Sequence, residues 1–357
     1  MNIAIDLSPL KNTNLLAHRV RGTGFYIENL KSSLLKYFPE NKYTFFIRGE
    51  KLPKSASWQI DLVHYPYFEL FFLTLPIFKK YKTVVTVHDL TPLVFPKEFP
   101  IGIKGWIKWQ IQKLALATVD AVITDSQSSK KDIVKFTEIS QDKVRVVYLA
   151  ASEMFKPDKN TLLLYRIKVK YNLPEKFVLY VGDITWNKNL PRLVRAIKKI
   201  NVTLVMVGSA LVGKEFDQTN PWNQDLLRVL KLTEDDKRII KLGFVPIEEL
   251  VAIYNLATVF AMPSLYEGFG LPILEAMSSG CPVVTAKSGS IPEVAGGAAC
   301  YVDAYDVNDV VNGISKIFYD EKLQKRLSQS GLKQAQKFSW RKTAEEIIKV
   351  YEKVLER

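Results

Sequence analysis

Two glutamates eight positions apart, Glu267 and Glu275, are candidates for a chemical role because their carboxylates could act on one ligand. Between them lie Gly268–Leu271 and then Pro272, which suits the first turn of a helix. The glycines bare backbone N–H groups at the positive end of that helix, where phosphate or sugar oxygens bind. Carboxylates are poor phosphate ligands but good acceptors for paired hydroxyl groups. The segment predicts a pocket for a sugar attached to a nucleoside diphosphate, although such turns are common and Glu267 could simply oppose the helix dipole.

A lysine follows another predicted strand in a similar setting. Lys188 comes after Phe177–Val181 and just before a helix whose first turn is marked by Pro191. There its ammonium group would neutralise a diphosphate, most of all when that diphosphate departs with added negative charge. A solvated loop lysine is an equally good interpretation of this position.

The first half of the chain offers two further candidates. His88 ends a β-rich run, at the sheet edge where α/β sites lie, and could donate a hydrogen bond to a sugar hydroxyl or to the scissile oxygen. A lone histidine is more often structural. Gly24 belongs to a G-x-G that follows Arg19 and Arg21, which could hold an anion, but a lone G-x-G is weak evidence.

The inventory of other reactive residues is small. The histidines besides His88 are His18 and His64, so neither a catalytic triad nor a zinc site assembles, and no D-x-D pair is present. We therefore expect no metal and no cofactor. Two cysteines, Cys281 and Cys300, form no disulfide framework, which favours a reduced, cytoplasmic protein.

Length and charge bound the class of protein. The 357 residues, 47% of them hydrophobic, can fill two cores, and the longest apolar stretch, Leu70–Phe78, is far shorter than the ~20 residues that span a bilayer. The net charge of +13 is compatible with nucleic acid, an anionic membrane or phosphorylated small molecules. Because the lysines are scattered, nucleic acid is the least favoured partner.

Short β-rich runs alternate with helical patterns almost from end to end, which predicts parallel α/β sheets. Turn residues at Met154–Asn160 divide two series of strands. We expect two successive domains, over 1–157 and 158–340, and a final helix, 341–357, that docks elsewhere than on the second core. The predicted strands are Asn2–Asp6, Tyr43–Ile47, Leu62–Tyr65, Thr83–Val87, Ala121–Thr124, Val144–Tyr148, Phe177–Val181, Thr203–Val207, Ile239–Leu242, Val259–Met262 and Pro282–Thr285.

The segment Phe95–Leu116 interleaves aromatic residues with lysines. Lys104, Lys108 and Trp109 are spaced to share one helix side, as at a membrane interface. From the sequence alone, an ordinary core helix with solvated lysines is the favoured alternative.

Together these motifs resemble the retaining GT-B glycosyltransferases of family 4, the glycosyltransferase group 1 type. The resemblance covers essentially the whole chain, and its motifs are Gly22–Gly24, Val87–Leu90, Thr124–Ser126, Gly182 with Lys188–Asn189, Gly243–Pro246, Glu267–Glu275, Ile291–Glu293 and Phe338–Trp340.

The resemblance implies two doubly wound Rossmann-like domains facing across a cleft, and a role for each motif. By this resemblance, domain 1–157 is the acceptor side, with helix 341–357 packed back onto it, and domain 158–340 binds the nucleotide-sugar donor. It implies that His88, Lys188 and Glu267 are the catalytic residues, with His88 on the transferred sugar, Lys188 on the diphosphate and Glu267 on the sugar hydroxyls. Glu275 would bind the ribose diol, and Gly243–Val245 the base. The implied donor contacts also include Gly24, Gly268, Phe269, Gly270 and Leu271. Asn187 stands where many members of the family carry arginine.

The implied activity is metal-independent transfer of a hexose such as mannose, with retention, from a nucleotide sugar to a glycan or lipid-linked acceptor in envelope polysaccharide assembly. Peripheral contact with an anionic membrane, at the cytoplasmic face of the inner membrane, is a further expected partnership. The alternatives are a GT-B nucleotide-sugar epimerase or hydrolase and a non-catalytic sugar-nucleotide sensor.

Overall fold

Runs of β-branched, aromatic and leucine residues form the strands, and many are buried on both faces, as in parallel sheets covered by helices. Phe177–Val181, for example, is buried at every position. The computed structural model describes residues 1–11, 22–49, 60–213 and 216–356. Its elements are numbered here along the chain. They belong to two units, one comprising Met1–Pro96, Ile101–Ala150 and Phe338–Arg357, the other Lys97–Pro100 and Ala151–Lys337.

The first unit contains a parallel six-stranded sheet in the order β2-β1-β3-β4-β5-β6. Its strands are β1 (Asn2–Asp6), β2 (Lys42–Phe46), β3 (Leu62–Tyr65), β4 (Lys82–Thr86), β5 (Ala121–Thr124) and β6 (Val144–Val146). Its helices are α1 (Gly22–Tyr37), α2 (Thr91–Val94), α3 (Gly102–Ala117), α4 (Gln127–Thr137) and α13 (Trp340–Leu355). Helix α13 begins at the N-cap Ser339 and packs on α1, β4 and β5.

The second unit contains a parallel six-stranded sheet in the order β12-β11-β10-β7-β8-β9. Its strands are β7 (Phe177–Val181), β8 (Thr203–Val207), β9 (Ile239–Leu242), β10 (Val259–Met262), β11 (Val283–Ala286) and β12 (Cys300–Val302). Its helices are α5 (Thr161–Lys170), α6 (Leu190–Lys199), α7 (Gln224–Leu232), α8 (Ile247–Leu256), α9 (Leu271–Ser278), α10 (Ile291–Ala295), α11 (Val307–Phe318) and α12 (Glu321–Ala335). This is the strand order of a Rossmann sheet, and the order reverses between β7 and β10.

The predicted α/β class with two parallel sheets is confirmed. Several bounds in the prediction are wrong: β2, β4 and β11 are each displaced by one residue, β6 ends at Val146 rather than Tyr148, and β12 was not foreseen. Strand β12 is only three residues long, which is too short for a periodic pattern to indicate it. Among the described residues, no helix has the length and apolar content required to cross a membrane.

Candidate active site

The reversal of strand order in the second unit places two of the predicted residues at one sheet edge. Strands β7 and β10 are adjacent and parallel, so their carboxyl ends lie at the same edge. Lys188 follows β7 and Glu267 follows β10. In open α/β sheets, ligands bind outside the carboxyl ends of the strands that flank such a reversal.

Lys188 and Glu267 form a direct ion pair there. The Lys188 Nζ atom lies 2.9 Å from Oε1 and 2.7 Å from Oε2 of Glu267. Only 19% of the lysine side chain and 6% of the glutamate side chain are exposed. A carboxylate this deeply buried is costly unless it is paired, and the Lys188 ammonium group provides that pairing.

Two asparagines hold the turn that carries Lys188. The backbone carbonyl of Asn187 accepts a hydrogen bond from Leu265 N at 2.7 Å, and the Nδ2 atom of the Asn187 side chain donates one to Tyr266 O at 3.0 Å. Asn189 has a φ of 59° and donates from Nδ2 to Pro263 O at 2.9 Å. The residue that stands in place of the family's common arginine therefore ties the Lys188 turn to the Glu267 loop.

The turn between β11 and α10 supports the Glu267 loop from another side. The Ser290 Oγ atom lies 3.0 Å from Glu267 O and 2.8 Å from Phe269 O. At Gly289, with a φ of 53°, an added Cβ atom would lie 2.5 Å from Glu267 O. Because real Cβ atoms do not approach an oxygen so closely, only glycine fits beside the loop in this conformation.

Helix α9 begins directly after this loop. Gly270 is its N-cap with a φ of 97°, and Pro272 lies in the first turn. Gly268 and Phe269 are buried, and Leu271 is the first helical residue. The first-turn N–H groups of α9 thus follow Glu267 within a few residues, as an anion-binding helix start requires.

Glu275 lies on α9 and is held by a tyrosine. Tyr254 OH donates to Glu275 Oε2 at 3.0 Å, and the Tyr254 ring packs edge-on against Phe155. Burial raises the pKa of Glu275 to about 7, while the hydrogen bond from Tyr254 opposes part of that rise. Near neutral pH this carboxyl group is therefore poised between its protonated and ionised forms.

His88 is part of a hydrogen-bonded pair in the first unit, in which 22% of its own side chain and 4% of the Asp125 side chain are exposed. It follows β4, and its Nδ1 atom lies 2.7 Å from Oδ2 of Asp125, which follows the neighbouring strand β5. The Tyr26 ring of α1 contacts the imidazole edge-on, with the ring centroids 4.8 Å apart. The carboxylate and the aromatic ring together fix the orientation of the imidazole.

The second nitrogen of His88 has no such partner. Within the described residues, His88 Nε2 and Asp125 Oδ1 are buried atoms without a hydrogen bond. Burial lowers the pKa of His88, but the nearby carboxylates of Asp125, Asp89 and Glu69 together raise it by more, so the net shift is upward. This favours an imidazolium whose Nε2–H is available to donate, and a buried group left unpaired in this way is typical of functional sites.

The remaining predicted positions are less informative. Gly24 is buried in the first turn of α1, and Arg19 and Arg21 lie outside the described residues. His64 is structural, since Tyr351 OH lies 2.6 Å from its Nδ1 and Thr86 Oγ1 lies 2.9 Å from its Nε2. Among the described residues, no three His, Cys, Asp or Glu side chains are grouped as a metal site would need.

Sequence reasoning missed the residues that support the site. Asp125 was part of a recognised motif, but its contact with His88 depends on the pairing of β4 with β5, which the sequence does not show directly. Neither Tyr254 nor Ser290 belongs to a sequence pattern that would have indicated its supporting role. Polar residues at the ends of adjacent parallel strands are the signal that could have identified Asp125.

Both halves of the chain match known family models. The model for Glycosyltransferase Family 4 matches residues 15–151, and the model for Glycosyl transferases group 1 matches residues 165–334. The second match spans the predicted donor motifs, from before β7 to beyond α10.

Two curated relatives come from Escherichia coli. The serotype-specific mannosyltransferase WbdA is 32% identical over 282 residues, which cover 77% of this chain and 34% of WbdA. The O-antigen chain mannosyltransferase B is 31% identical over 276 residues, which cover 76% of this chain and 70% of that protein. The chain thus matches about a third of the length of WbdA and most of mannosyltransferase B.

The solved structure of Anabaena HepE in complex with UDP-glucose superposes on this chain with a TM-score of 0.73. The superposition covers 99% of this chain and 100% of HepE, at 16% sequence identity. At that identity the likeness concerns the fold alone. With the family models and mannosyltransferase B, it identifies the chain as a member of the group 1, family 4 glycosyltransferases, with the GT-B class of fold.

Proposed function

We propose that this protein is a glycosyltransferase that moves a hexose, such as mannose, from a nucleoside-diphosphate sugar to a glycan or lipid-linked acceptor in envelope polysaccharide assembly. The observation that carries the proposal is the buried Lys188–Glu267 ion pair beside the strand-order reversal of the second unit. Relatives named as mannosyltransferases support the sugar, and a fold neighbour crystallised with UDP-glucose supports the donor class.

In this proposal, Lys188 and Glu267 divide the donor between them. The ammonium group approaches the diphosphate, while the Glu267 carboxylate paired with it accepts hydrogen bonds from the sugar hydroxyls. When the glycosidic bond breaks, negative charge grows on the departing diphosphate. Lys188 and the first turn of α9 stabilise that charge in the transition state more than in the ground state.

Glu275 and His88 complete the proposed set of donor contacts. Glu275, as a carboxylate, accepts hydrogen bonds from both hydroxyls of the ribose diol. The backbone of Gly268–Leu271 lies near the sugar and the phosphates. His88 donates from Nε2 to the transferred sugar or to the scissile oxygen, since Asp125 already occupies Nδ1. Gly24 allows close approach of backbone to phosphate.

The stereochemistry and the metal requirement are parts of the same proposal. We infer that the anomeric configuration is retained and that the departing phosphate helps to deprotonate the acceptor hydroxyl. A lysine ammonium group and helix N-termini can supply the positive charge that a divalent cation supplies elsewhere, which supports a metal-independent reaction without further cofactors.

We also infer that the protein contacts an anionic membrane peripherally, at its cytoplasmic face, because a lipid-linked acceptor is reached at such a surface. The net charge of +13 favours this partner.

A panel of nucleoside diphosphates and their sugar conjugates tests the donor assignment by thermal shift, because a ligand that binds only the native state raises the melting temperature. We expect one base to be preferred, and sugar transfer when an acceptor is added. Free sugar or an epimer formed without acceptor would instead indicate a hydrolase or epimerase. Tight donor binding with no turnover on any acceptor would indicate a sensor.

Substitutions of the ion pair test the residues. We expect Lys188→Ala and Glu267→Ala each to lower the transfer rate by about two orders of magnitude or more, because each removes a charge that acts in the transition state. The matched controls are Lys170→Ala and Glu249→Ala, since Lys170 Nζ also lies 2.7 Å from both oxygens of Glu249, but on the exposed surface of the same unit. Near-normal transfer by either ion-pair variant would refute the assignment.

A further inference from the structure

Helix α3 carries apolar side chains on the face opposite its buried one. Its buried side chains are Trp109, Gln112, Ala115 and Leu116. At about 100° per residue, Ile103, Trp106, Ile107 and Leu114 fall in an arc about 100° wide on the other side. All four are exposed, Ile103 at 80%. The outward face of a soluble helix is ordinarily polar, so this second apolar face requires an explanation.

The loop between β3 and β4 extends this apolar face. Phe72, Leu73, Ile77 and Phe78 are exposed in it, and Phe78 reaches 93%. We call the exposed side chains of Leu70–Lys82 and Gly102–Ala117 together the α3 surface.

Hydrogen bonds hold the loop against α3. Gln112 Oε1 accepts from Leu75 N at 3.3 Å, and Gln112 Nε2 donates to Thr74 Oγ1 at 2.9 Å. Lys79 Nζ donates to Ala115 O at 2.6 Å. These bonds make the loop and the helix one continuous surface of the first unit.

The charge of the α3 surface has a single sign. Its two segments contain Lys79, Lys80, Lys82, Lys104, Lys108 and Lys113, and neither contains an aspartate or glutamate. Among the described residues, two acids from elsewhere form ion pairs with its lysines: Asp120 with Lys82 at 3.3 Å and Glu138 with Lys113 at 2.6 Å. The partner that complements this surface is anionic.

The mixture of residues favours a lipid surface over a protein. The cores of protein–protein interfaces are depleted in lysine, whereas Trp and Lys beside apolar side chains are typical of elements that lie in a membrane interface. Lysine stems can cover apolar surface while the ammonium group stays at headgroup level. Lys108 Nζ, for instance, lies 5.3 Å from the centroid of the Phe72 ring.

We propose that the α3 surface docks on anionic phospholipid, with Phe78, Ile103 and Trp106 at the boundary between headgroups and acyl chains and the lysines on the lipid phosphates. This inference rests on the membrane contact in the proposed function but not on the donor site, so the two can fail separately.

Co-sedimentation with phosphatidylcholine vesicles, with and without phosphatidylglycerol, tests the proposal on the full chain. We expect binding that requires phosphatidylglycerol and weakens with salt. A triple variant, Phe78→Ser with Ile103→Gln and Trp106→Gln, should bind at least about tenfold more weakly, because three apolar side chains no longer insert. Lys104→Glu with Lys108→Glu should weaken binding to the vesicles that contain phosphatidylglycerol and reduce the dependence of that binding on salt.

The matched control lies on α5 of the second unit, where Leu162, Tyr165 and Val169 are also exposed apolar residues. Changing these three to glutamine should leave vesicle binding unaltered. Nucleotide-induced thermal shifts of every variant report whether the fold and the donor site are intact.

Three outcomes would overturn the proposal. The first is a wild-type protein that does not bind anionic vesicles, and the second is a control variant that loses as much binding as the α3 variant. The third is a wild-type dimer that the α3 variant converts to a monomer without a change in lipid binding, which would assign the surface to a second copy of the chain. A wild-type protein that binds anionic vesicles but shows no thermal shift with any nucleotide would refute the proposed donor site and leave this inference standing.

Discussion

His64 is fully buried and His88 is partly buried in the first unit, and their surroundings give them opposite chemistry. Both ring nitrogens of His64 have partners, and burial lowers its pKa to about 3, so it stays neutral. His88 has a carboxylate on one nitrogen and no hydrogen bond on the other among the described residues, and its pKa is shifted upward. Hydrogen-bond accounting thus distinguishes a structural histidine from one available for chemistry.

Replacement of the His88 partner should change how transfer depends on pH. Asp125→Asn removes the carboxylate that raises the pKa of His88, so protonated His88 would be lost at a lower pH than in the wild type. If Nε2–H is the donor, transfer falls as pH rises through that pKa, and the fall begins earlier in the variant. We expect kcat near neutral pH to drop roughly tenfold to hundredfold, the worth of one hydrogen bond to a charged group. Steady-state rates across pH measure this.

Asp120→Asn is the control for loss of a carboxylate in the same unit, because Asp120 lies just before β5 and pairs with Lys82. That variant should keep the wild-type pH profile. A profile for Asp125→Asn that coincides with the wild type would show that His88 does not act through its protonated form.

The ionisation of Glu275 should appear in nucleotide affinity. Only the ionised Glu275 carboxylate can accept hydrogen bonds from both ribose hydroxyls, and the pKa of Glu275 in the free protein is about 7. Below that pH, binding must first remove a proton, so affinity should fall by up to about tenfold per pH unit. Above it, affinity should be constant. Calorimetric titration with the preferred nucleoside diphosphate, across buffers from about pH 5.5 to about pH 8.5, measures this dependence.

Two variants control for this effect. Glu275→Gln should bind weakly at every pH, with no inflection near neutrality. Tyr254→Phe removes a hydrogen bond that lowers the Glu275 pKa, and should move the inflection to higher pH. An inflection that survives in Glu275→Gln would assign the titration to another group.

Among the elements, the turn between β11 and α10 is the one that holds the Glu267 loop. Gly289→Ala would place a methyl group 2.5 Å from Glu267 O, at a φ that alanine rarely adopts. We expect the loop to shift and donor affinity to fall at least tenfold, with a loss of stability of about 1–3 kcal/mol. Thermal shift with the donor reports the affinity, and the melting temperature without ligand reports the stability.

Gly297→Ala is the matched control. Gly297 lies just after α10, and an added Cβ atom there would have no heavy atom within 4 Å apart from its own chain neighbours. Donor affinity that is equally reduced in both variants would contradict a specific role of the turn.

Element by element, the sequence predicted the fold better than the site. Strands such as Phe177–Val181 and Val259–Met262 agree to the residue, because continuous apolar runs must be buried between helices. The Glu267-to-Glu275 motif also predicted the start of α9, through Gly270 and Pro272. The contacts of Lys188 with Glu267, and of His88 with Asp125, join residues that follow different strands, so only the sheet order brings them together. The catalytic and binding roles given to these residues stay predictions.

Across the whole molecule, the first unit is built from both ends of the chain. Helix α13 packs on α1, and its Tyr351 OH reaches the buried His64. Tyr351→Phe would leave His64 Nδ1 buried without a partner, which should cost the first unit about 1–3 kcal/mol. Hydrogen exchange of residues 340–355, followed by mass spectrometry, should show faster opening of α13.

Tyr319→Phe, at an exposed tyrosine of the second unit, is the control and should leave this exchange unchanged. Equal protection of α13 in the wild type and in Tyr351→Phe would mean that the hydrogen bond does not contribute to its docking.

The return of α13 to the first unit also has a consequence for biosynthesis. A ribosome delivers residues 1–150 first, then nearly all of the second unit, and only afterwards the helix that completes the first. Until then Tyr26 and His64 lack the neighbours that bury them in the finished protein, and their apolar surroundings stay open to water or to chaperones. The unit that is translated first is therefore the one that is finished last.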